Sequence, residues 1–196
     1  MSQKERKIID RELKMHLYTV RYDTFERAVK RYGYTGRLTD TMFLEVQDII
    51  RVSVDDLKDR NSITHFYFQN NFGFDHGNYD TQKVLLIGFL HCVHLNTEKA
   101  GESLWGILNP DIEETVTKEK VREFLETMCH YAVNVPMTVQ SFQEEKDREL
   151  DDYLRKLQDN KDQAVADVVN AFSSNVTKSE FIAVIVSYII RFLFSL

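Results

Sequence analysis

Proline and glycine are scarce in this sequence, and their scarcity constrains the fold more than any other feature. The 196 residues include 2 prolines and 7 glycines. An all-β chain needs a turn roughly every 8 to 12 residues, and such turns favour glycine, proline and asparagine. Apolar residues also recur at helical spacing along most of the chain. We therefore predict an all-α fold.

Short loops interrupt the helical pattern four times. They lie at residues 32–37, 70–78, 109–115 and 173–175. Each loop separates two stretches whose apolar residues keep helical spacing, including a stretch at 57–68 before the second loop. The sequence thus predicts four helix–loop–helix pairs.

One apolar residue lies at the same place in each pair, just before the second helix. These residues are Leu38, Tyr79, Val116 and Val176. The first three recur about every forty residues, and a charged segment at 143–162 accounts for the longer gap before the fourth. Helix pairs of this kind stack in twos or fours, because one pair alone cannot bury its apolar face. We predict two domains, residues 1–95 with pairs 1 and 2 and residues 96–196 with pairs 3 and 4.

The charged segment predicts an inserted or lengthened helix at about 141–172. We expect the preceding helix to end near Val133, ahead of Pro136. Ser141 and Glu144 have capping-box spacing, which predicts the start of the long helix. A thin apolar stripe follows at Leu150, Leu154 and Leu157. We expect one face of this helix to rest on the core; the alternative is an arm that binds a partner.

The four phased pairs resemble the EF-hand superfamily, the calmodulin-like proteins, over roughly residues 20–190; the alternative is an unrelated helical bundle whose turns coincide by chance. An EF-hand loop has about twelve positions, with oxygen ligands at positions 1, 3, 5, 9 and 12, a glycine at 6 and an apolar residue at 8 that pairs two loops. With Leu38 and Tyr79 at position 8, Gly36 and Gly77 fall at position 6. The resemblance implies two lobes, each with an apolar groove that binds a partner helix.

The third loop comes closest to a calcium site. With Val116 at position 8, Asn109, Asp111 and Glu113 fall at positions 1, 3 and 5. Glu114 replaces the turn glycine, and a lysine replaces the bidentate acid at position 12. Asn109, Asp111 and Glu113 are therefore weak calcium candidates only.

The other loops depart further from the family's ligand pattern. Position 12 holds Met42 in the first loop and Lys83 in the second. The fourth loop has Glu180 there, without acids at positions 1, 3 and 5. We therefore predict no metal site; the alternative is a calcium sensor with unorthodox loops.

Cysteines and histidines form a second set of candidate ligands: His91, Cys92, His94, Cys129 and His130. Their order lacks the paired CxxC or HxxxH spacing of strong zinc sites, and neither cysteine follows a glycine-rich turn. We expect buried thiols in a reducing compartment. A zinc protein or a Cys/His-based enzyme is the alternative. The glycines do not form a phosphate loop, so we predict no nucleotide cofactor.

Charge and the two termini bear on partners and location. The net charge is −6, and the basic residues are scattered among acids, so we expect no nucleic-acid partner. The first residues are charged and lack an apolar run, so we expect no signal peptide. Residues 181–196 are apolar nearly all round, which predicts a buried terminal helix; the alternative is a membrane tail anchor.

These expectations combine into one functional prediction. The chain is expected to be a non-catalytic, calcium-independent EF-hand-like adaptor or structural subunit of the cytoplasm. It would need no cofactor, and its partner would be an amphipathic helix or a large protein assembly. A cytoskeletal or ciliary assembly is the setting that the resemblance implies.

Overall fold

Two compact units make up the chain, and the division falls between Leu95 and Asn96. The computed structural model describes residues 17–50, 55, 58–62, 65, 73–75, 78–94, 96–141 and 148–194. Within these residues the chain is mostly helical, with two small antiparallel sheets. The predicted helical fold class is confirmed at this level.

The N-terminal unit begins with a 3-10 turn and continues as helices and three-residue strands. Its described elements are Leu17–Thr19 (the 3-10 turn), α1 Tyr22–Tyr32, β1 Arg37–Thr39, α2 Asp40–Ile50, β2 Gly73–Asp75, β3 Asn78–Asp80 and α3 Thr81–His91. The strands form one antiparallel sheet in the order β1–β3–β2. α1 packs against both α2 and α3.

The helix predicted at 57–68 is wrong in part. Residues 59–62 form a turn, and much of the remainder lies outside the described residues. The Asp59 carboxylate accepts a hydrogen bond from the Asn61 N–H at 3.0 Å, and the Asp59 carbonyl accepts one from the Ser62 N–H at 2.9 Å. Aspartate and asparagine favour such local bonds over a helix, which explains the break.

The C-terminal unit has longer helices and one two-stranded sheet. Its described elements are α4 Thr97–Leu108, β4 Thr115–Thr117, α5 Lys118–Cys129, a π-helical turn at His130–Asn134, α6 Val135–Ser141, α7 Arg148–Asn170, β5 Asn175–Thr177 and α8 Lys178–Phe194. β4 and β5 are antiparallel. α4 packs on α8, and α7 packs along α5, the π turn and α6.

The π-helical turn carries the chain past Pro136, where we expected the helix to have ended. The N–H of Val135 donates to the carbonyl of His130, five residues back. Pro136 has no N–H, and in a regular α-helix its ring would clash with the carbonyl four residues back. A wider turn at this point relieves that clash, so the helix continues to Ser141.

The start of the long helix also differs from the prediction. Ser141 is the last residue of α6, and its hydroxyl donates to the Thr138 carbonyl at 2.6 Å, so it does not cap α7. Glu144 lies outside the described residues. α7 is one continuous helix of 23 residues. The extra length of the third repeat is therefore shared between α7 and the extension of α5 through α6.

Each unit has its own apolar core. In the N-terminal unit, Phe25 is fully buried and lies against Gly88, where a Cβ would overlap the phenyl ring. In the C-terminal unit, the fully buried Phe181 packs with the rings of Trp105 and Phe172, with ring centroids 5.6 and 6.0 Å apart.

The predicted burial of the terminal helix is confirmed at two positions. Phe181 and Ile185 of α8 are 0% and 3% exposed. The side chains of Ile189 and Phe192 lie outside the described part of the structure. Among the described residues, no helix combines the length and the apolar character that crossing a membrane requires.

Candidate functional site

The four phased apolar residues lie at the centres of four short strands. Leu38 pairs with Tyr79 in the N-terminal unit, and Val116 pairs with Val176 in the C-terminal unit. None of these side chains is more than 2% exposed. Each unit thus contains one pair of these residues, and the pair joins the two loops of that unit.

The residue after each of these four caps the helix that follows. The hydroxyl groups of Thr39, Thr117 and Thr177 accept hydrogen bonds from the N–H three residues on, at 3.2, 3.2 and 3.3 Å. Asp80 accepts from two such N–H groups. Thr and Asp are favoured N-caps because their oxygens satisfy N–H groups that the first turn leaves without partners. Thr39, Asp80 and Thr177 were not among the predicted helix starts, although an apolar residue followed by Thr or Asp occurs at all four places.

Thr81, the first residue of α3, ties the first loop to the second. Its N–H donates to the Gly36 carbonyl at 3.1 Å, and its hydroxyl donates to the Gly33 carbonyl at 3.2 Å. Gly36 has φ 82, a conformation that glycine adopts without strain. A Cβ at Gly33 would lie 2.6 Å from Thr81 Oγ1, so the loops approach closely here. Gly77 lies outside the described residues.

Tyr79 links the N-terminal sheet to α2. Its hydroxyl donates to Asp40 Oδ1 at 2.9 Å. Burial, and then the hydrogen bond and charge of Asp40, raise the pKa of the Tyr79 phenol well above its usual value. The phenol therefore keeps its proton and remains a donor at physiological pH.

The third loop uses one calcium candidate to close itself. Asn109 is 3% exposed, its Nδ2 donates to the Glu113 carbonyl at 2.7 Å, and its Oδ1 accepts from the Glu113 N–H at 3.0 Å. Ile112 has φ 56, so the left-handed turn falls at Ile112. It does not fall at Glu114, which stands where the EF-hand pattern described above would have its glycine. Asn109 and Glu113 are brought together, while Asp111 is exposed.

A lysine lies beside the Glu113 carboxylate of the third loop. Lys120 Nζ lies 3.4 Å from Glu113 Oε2. Calcium takes roughly six to eight oxygen ligands, most of them anionic or carbonyl. Here the Asn109 oxygen accepts an N–H, and an ammonium stands beside the Glu113 carboxylate. These three candidates therefore do not fit calcium.

Glu180 of α8 closes the fourth loop. Its carboxylate accepts from the Ser173 N–H at 2.7 Å and lies 2.9 Å from Ser173 Oγ, which is 2.8 Å from the Asn175 carbonyl oxygen. The hydrogen bond from the Ser173 N–H is the main cause that lowers the pKa of Glu180. Oxygen groups converge in this loop, but they include a single carboxylate, which again does not fit calcium.

Lys118 reaches across to the fourth loop as Thr81 reaches across to the first. Its N–H donates to the Ser174 carbonyl at 3.1 Å. Its Nζ donates to the Phe172 carbonyl at 2.8 Å. The first residue of a helix therefore binds the opposite loop twice in each unit.

The cysteines and histidines of the alternative site fall in different units. His91, Cys92 and His94 belong to the N-terminal unit, and Cys129 and His130 belong to the C-terminal unit. His91 and Cys92 are fully buried, whereas Cys129 is half-buried, so the expectation of buried thiols is confirmed at Cys92 and wrong in part at Cys129. Burial raises the pKa of the Cys129 thiol, which disfavours the thiolate that a nucleophile or a zinc ligand needs. Within the part of the chain that the structure describes, no three His, Cys, Asp or Glu side chains form a metal-binding group.

The four loops thus form two matched pairs. Each pair is joined by a strand ladder and by one residue, Thr81 or Lys118, from the first turn of a helix. In the third loop Asn109 and Glu113 are bonded within the loop, and in the fourth loop Glu180 is bonded to Ser173. No family model, no curated protein and no solved structure matches this chain.

Proposed function

We propose that this chain is a non-catalytic, calcium-independent EF-hand-like adaptor or structural subunit. It would bind a partner helix or pack into a larger protein assembly. The observation that best supports the proposal is the pairing of Leu38 with Tyr79 and of Val116 with Val176, where EF-hand loops are expected to pair. Each of the four paired residues lies in a three-residue strand that leads directly into a capped helix, and β2 of the N-terminal unit has no counterpart among the described elements of the C-terminal unit.

Calcium independence is supported by the bonds inside the loops. Asn109 bridges the backbone of Glu113, and Lys120 lies beside the Glu113 carboxylate. Glu180 binds Ser173 in the fourth loop. A loop that is closed by groups of the chain does not need an ion to hold its shape.

The partner surface is proposed on the helices that follow the loops. Apolar side chains remain half-buried there: Phe124 and Met128 on α5, and Val184 and Tyr188 on α8. An amphipathic helix binds to such residues by burying its own apolar face. The proposed setting is the cytoplasm, in a cytoskeletal or ciliary assembly, on the strength of the family resemblance alone.

The first test is calcium itself. We expect 1 mM calcium and excess chelator to give the same circular dichroism and the same melting temperature, because an ion that does not bind the folded chain cannot stabilise it. A reproducible rise in melting temperature with calcium, lost in Asp111→Ala or in Glu180→Gln, would instead favour a sensor. The convergence of oxygen groups around Glu180 is the observation that favours that second candidate.

The second test is partner recovery at two calcium levels. The tagged full-length chain is cross-linked in native extract with 1 mM calcium or with chelator, and the bound proteins are quantified by mass spectrometry. We expect the same partners in both conditions, with less recovery for Met128→Asp than for the control Asp152→Asn on the exposed face of α7. Partners recovered only with calcium, or equal recovery by both variants, would contradict the proposal.

A further inference from the structure

Lys118 carries a positive charge at a place where its own helix disfavours one. It is the first residue of α5. The N-terminus of a helix bears a partial positive charge, so acidic residues are favoured there and lysine is not. The physical reason for a lysine at this position therefore lies outside α5.

That reason is the end of α7, on the other side of the strand ladder. Lys118 Nζ donates to the Phe172 carbonyl at 2.8 Å, between residues 54 apart in sequence. Phe172 lies two residues past Asn170, the last residue of α7, so the ammonium stands near the negative end of that helix dipole. An ammonium is a compact cation with three donors, so it suits this position.

Glu180 holds the same turn from the opposite side. Its carboxylate accepts from the N–H of Ser173, the residue after Phe172. The hydrogen bonds from Ser173 are the main cause of the lowered pKa of Glu180, and the nearby charge of Lys118 lowers it further. The ammonium and the carboxylate therefore bind two adjacent residues of the same turn.

We propose that the Lys118 ammonium is a built-in cation that clamps the fourth loop to the third loop, holding the turn at Phe172 while Glu180 holds it at Ser173. The clamp deepens the calcium independence of the proposed function, and its contacts do not depend on any partner. With the clamp in place, the two loops of the C-terminal unit stay joined without a bound ion. The unit would then present the same surface at every calcium concentration.

Three variants of the full-length chain test the clamp. K118M keeps the aliphatic stem and removes the charge, K118R keeps a charge, and K120M removes the exposed lysine that pairs with Glu113 in the same first turn. We expect K118M to lower the melting temperature by about 5 °C, since a hydrogen bond from a charged donor is lost. K120M should change it by no more than about 2 °C, because its ion pair is exposed to solvent.

Hydrogen exchange locates the effect. In K118M the amide of Ser173 should exchange about tenfold faster than in the wild-type chain, whereas K118R and K120M should leave it nearly unchanged. Equal losses in K118M and K120M, or a K118R variant as damaged as K118M, would overturn the clamp. If K118M does not fold, the test rests on K118R. The clamp depends on the positive charge, which arginine keeps, so K118R should fold. A calcium response of the wild-type chain would contradict the proposed function instead, and it would leave this comparison of variants intact.

Discussion

The N-terminal and C-terminal units join their loops by the same backbone bond and by different side chains. In both, the first residue of a helix donates its N–H to the carbonyl two residues before the centre of the opposite strand. Thr81 donates in this way to Gly36, and Lys118 donates to Ser174. The side chain then adds a neutral hydroxyl in one unit and an ammonium in the other. The strand pairing and this backbone hydrogen bond therefore join the two loops in the same way in both units. The side chain determines whether the contact between the loops also depends on a charge.

The first and third loops also make their left-handed turns with different residues. Gly36 supplies the left-handed residue of the first loop, with φ 82. In the third loop Ile112 adopts φ 56, a conformation that is strained for a β-branched residue. The bridge between Asn109 and Glu113 closes that loop and holds the strained residue in place. A turn glycine is thus replaceable where a side-chain amide fixes the loop.

Removing α8 should have the largest effect, because the core of the C-terminal unit includes its buried side chains. Truncation after Lys178 deletes Phe181, whose ring packs with Trp105 and Phe172, and the buried Ile185. Each lost side chain costs about 1.5–3 kcal/mol, so several together approach the stability of a whole domain. We expect aggregation or loss of the cooperative melt, measured by solubility and circular dichroism. The control Ser187→Ala, exposed on the same helix, should melt normally. A soluble truncated chain with a normal melt would contradict the buried helix and support a membrane tail.

Replacing one glycine by alanine in each unit should show which unit packs its helices more tightly. Gly88→Ala places a Cβ against the fully buried Phe25 ring, and such overpacking should lower the free energy of unfolding by about 3 kcal/mol. Gly101→Ala places its Cβ 3.2 Å from Cγ2 of the half-buried Ile182, which has room to shift. The higher helix propensity of alanine, about 1 kcal/mol, should offset that cost. Urea denaturation measures both, and equal losses would show that the two crossings are equally tight.

The repeat of the loops could be predicted from the sequence because its signals are local. Leu38, Tyr79, Val116 and Val176 recur in phase, and each pairs with its partner in a strand. An apolar residue that precedes a second helix is visible in one short window. The capping residue directly after it is just as local, and it could have been read from the same window.

Other features depend on residues far apart in sequence or on backbone detail. The contact between Lys118 and Phe172 joins two loops, so no window around either residue contains it. Pro136 predicts a helix end, because the rule for proline takes no account of a π turn that absorbs its ring. The calcium candidate Asn109 has the right residue type, but its amide bonds to the backbone of its own loop. The type of a residue shows whether it could bind a metal ion. The hydrogen bonds show whether its oxygen atoms are already bonded to other groups of the chain.

The smallest expected effect is a dependence of stability on pH. It separates the fourth loop, which is closed by a charged carboxylate, from the first loop, which is closed by neutral groups. Hydrogen bonds from Ser173 lower the pKa of Glu180 in the folded chain, so this carboxylate stabilises the fold above its ordinary pKa in the unfolded chain. The stabilisation is lost as the pH falls through the lower, folded pKa.

Glu180→Gln should therefore lower the melting temperature at pH 7 by only about 1–2 °C, because the group is near the surface. The amide proton resonance of Ser173 reports the same bond directly. It should titrate with a midpoint below the usual glutamate range in the wild-type chain and should not titrate in Glu180→Gln. The amide of Gly36, which donates to the Gly33 carbonyl at 2.9 Å, is the reference from the neutral loop. A Ser173 resonance that titrates at the ordinary glutamate pKa would show that Glu180 does not hold the turn. The third and fourth loops would then be joined by the strand ladder and Lys118 alone, much as the first and second are joined by their ladder and Thr81.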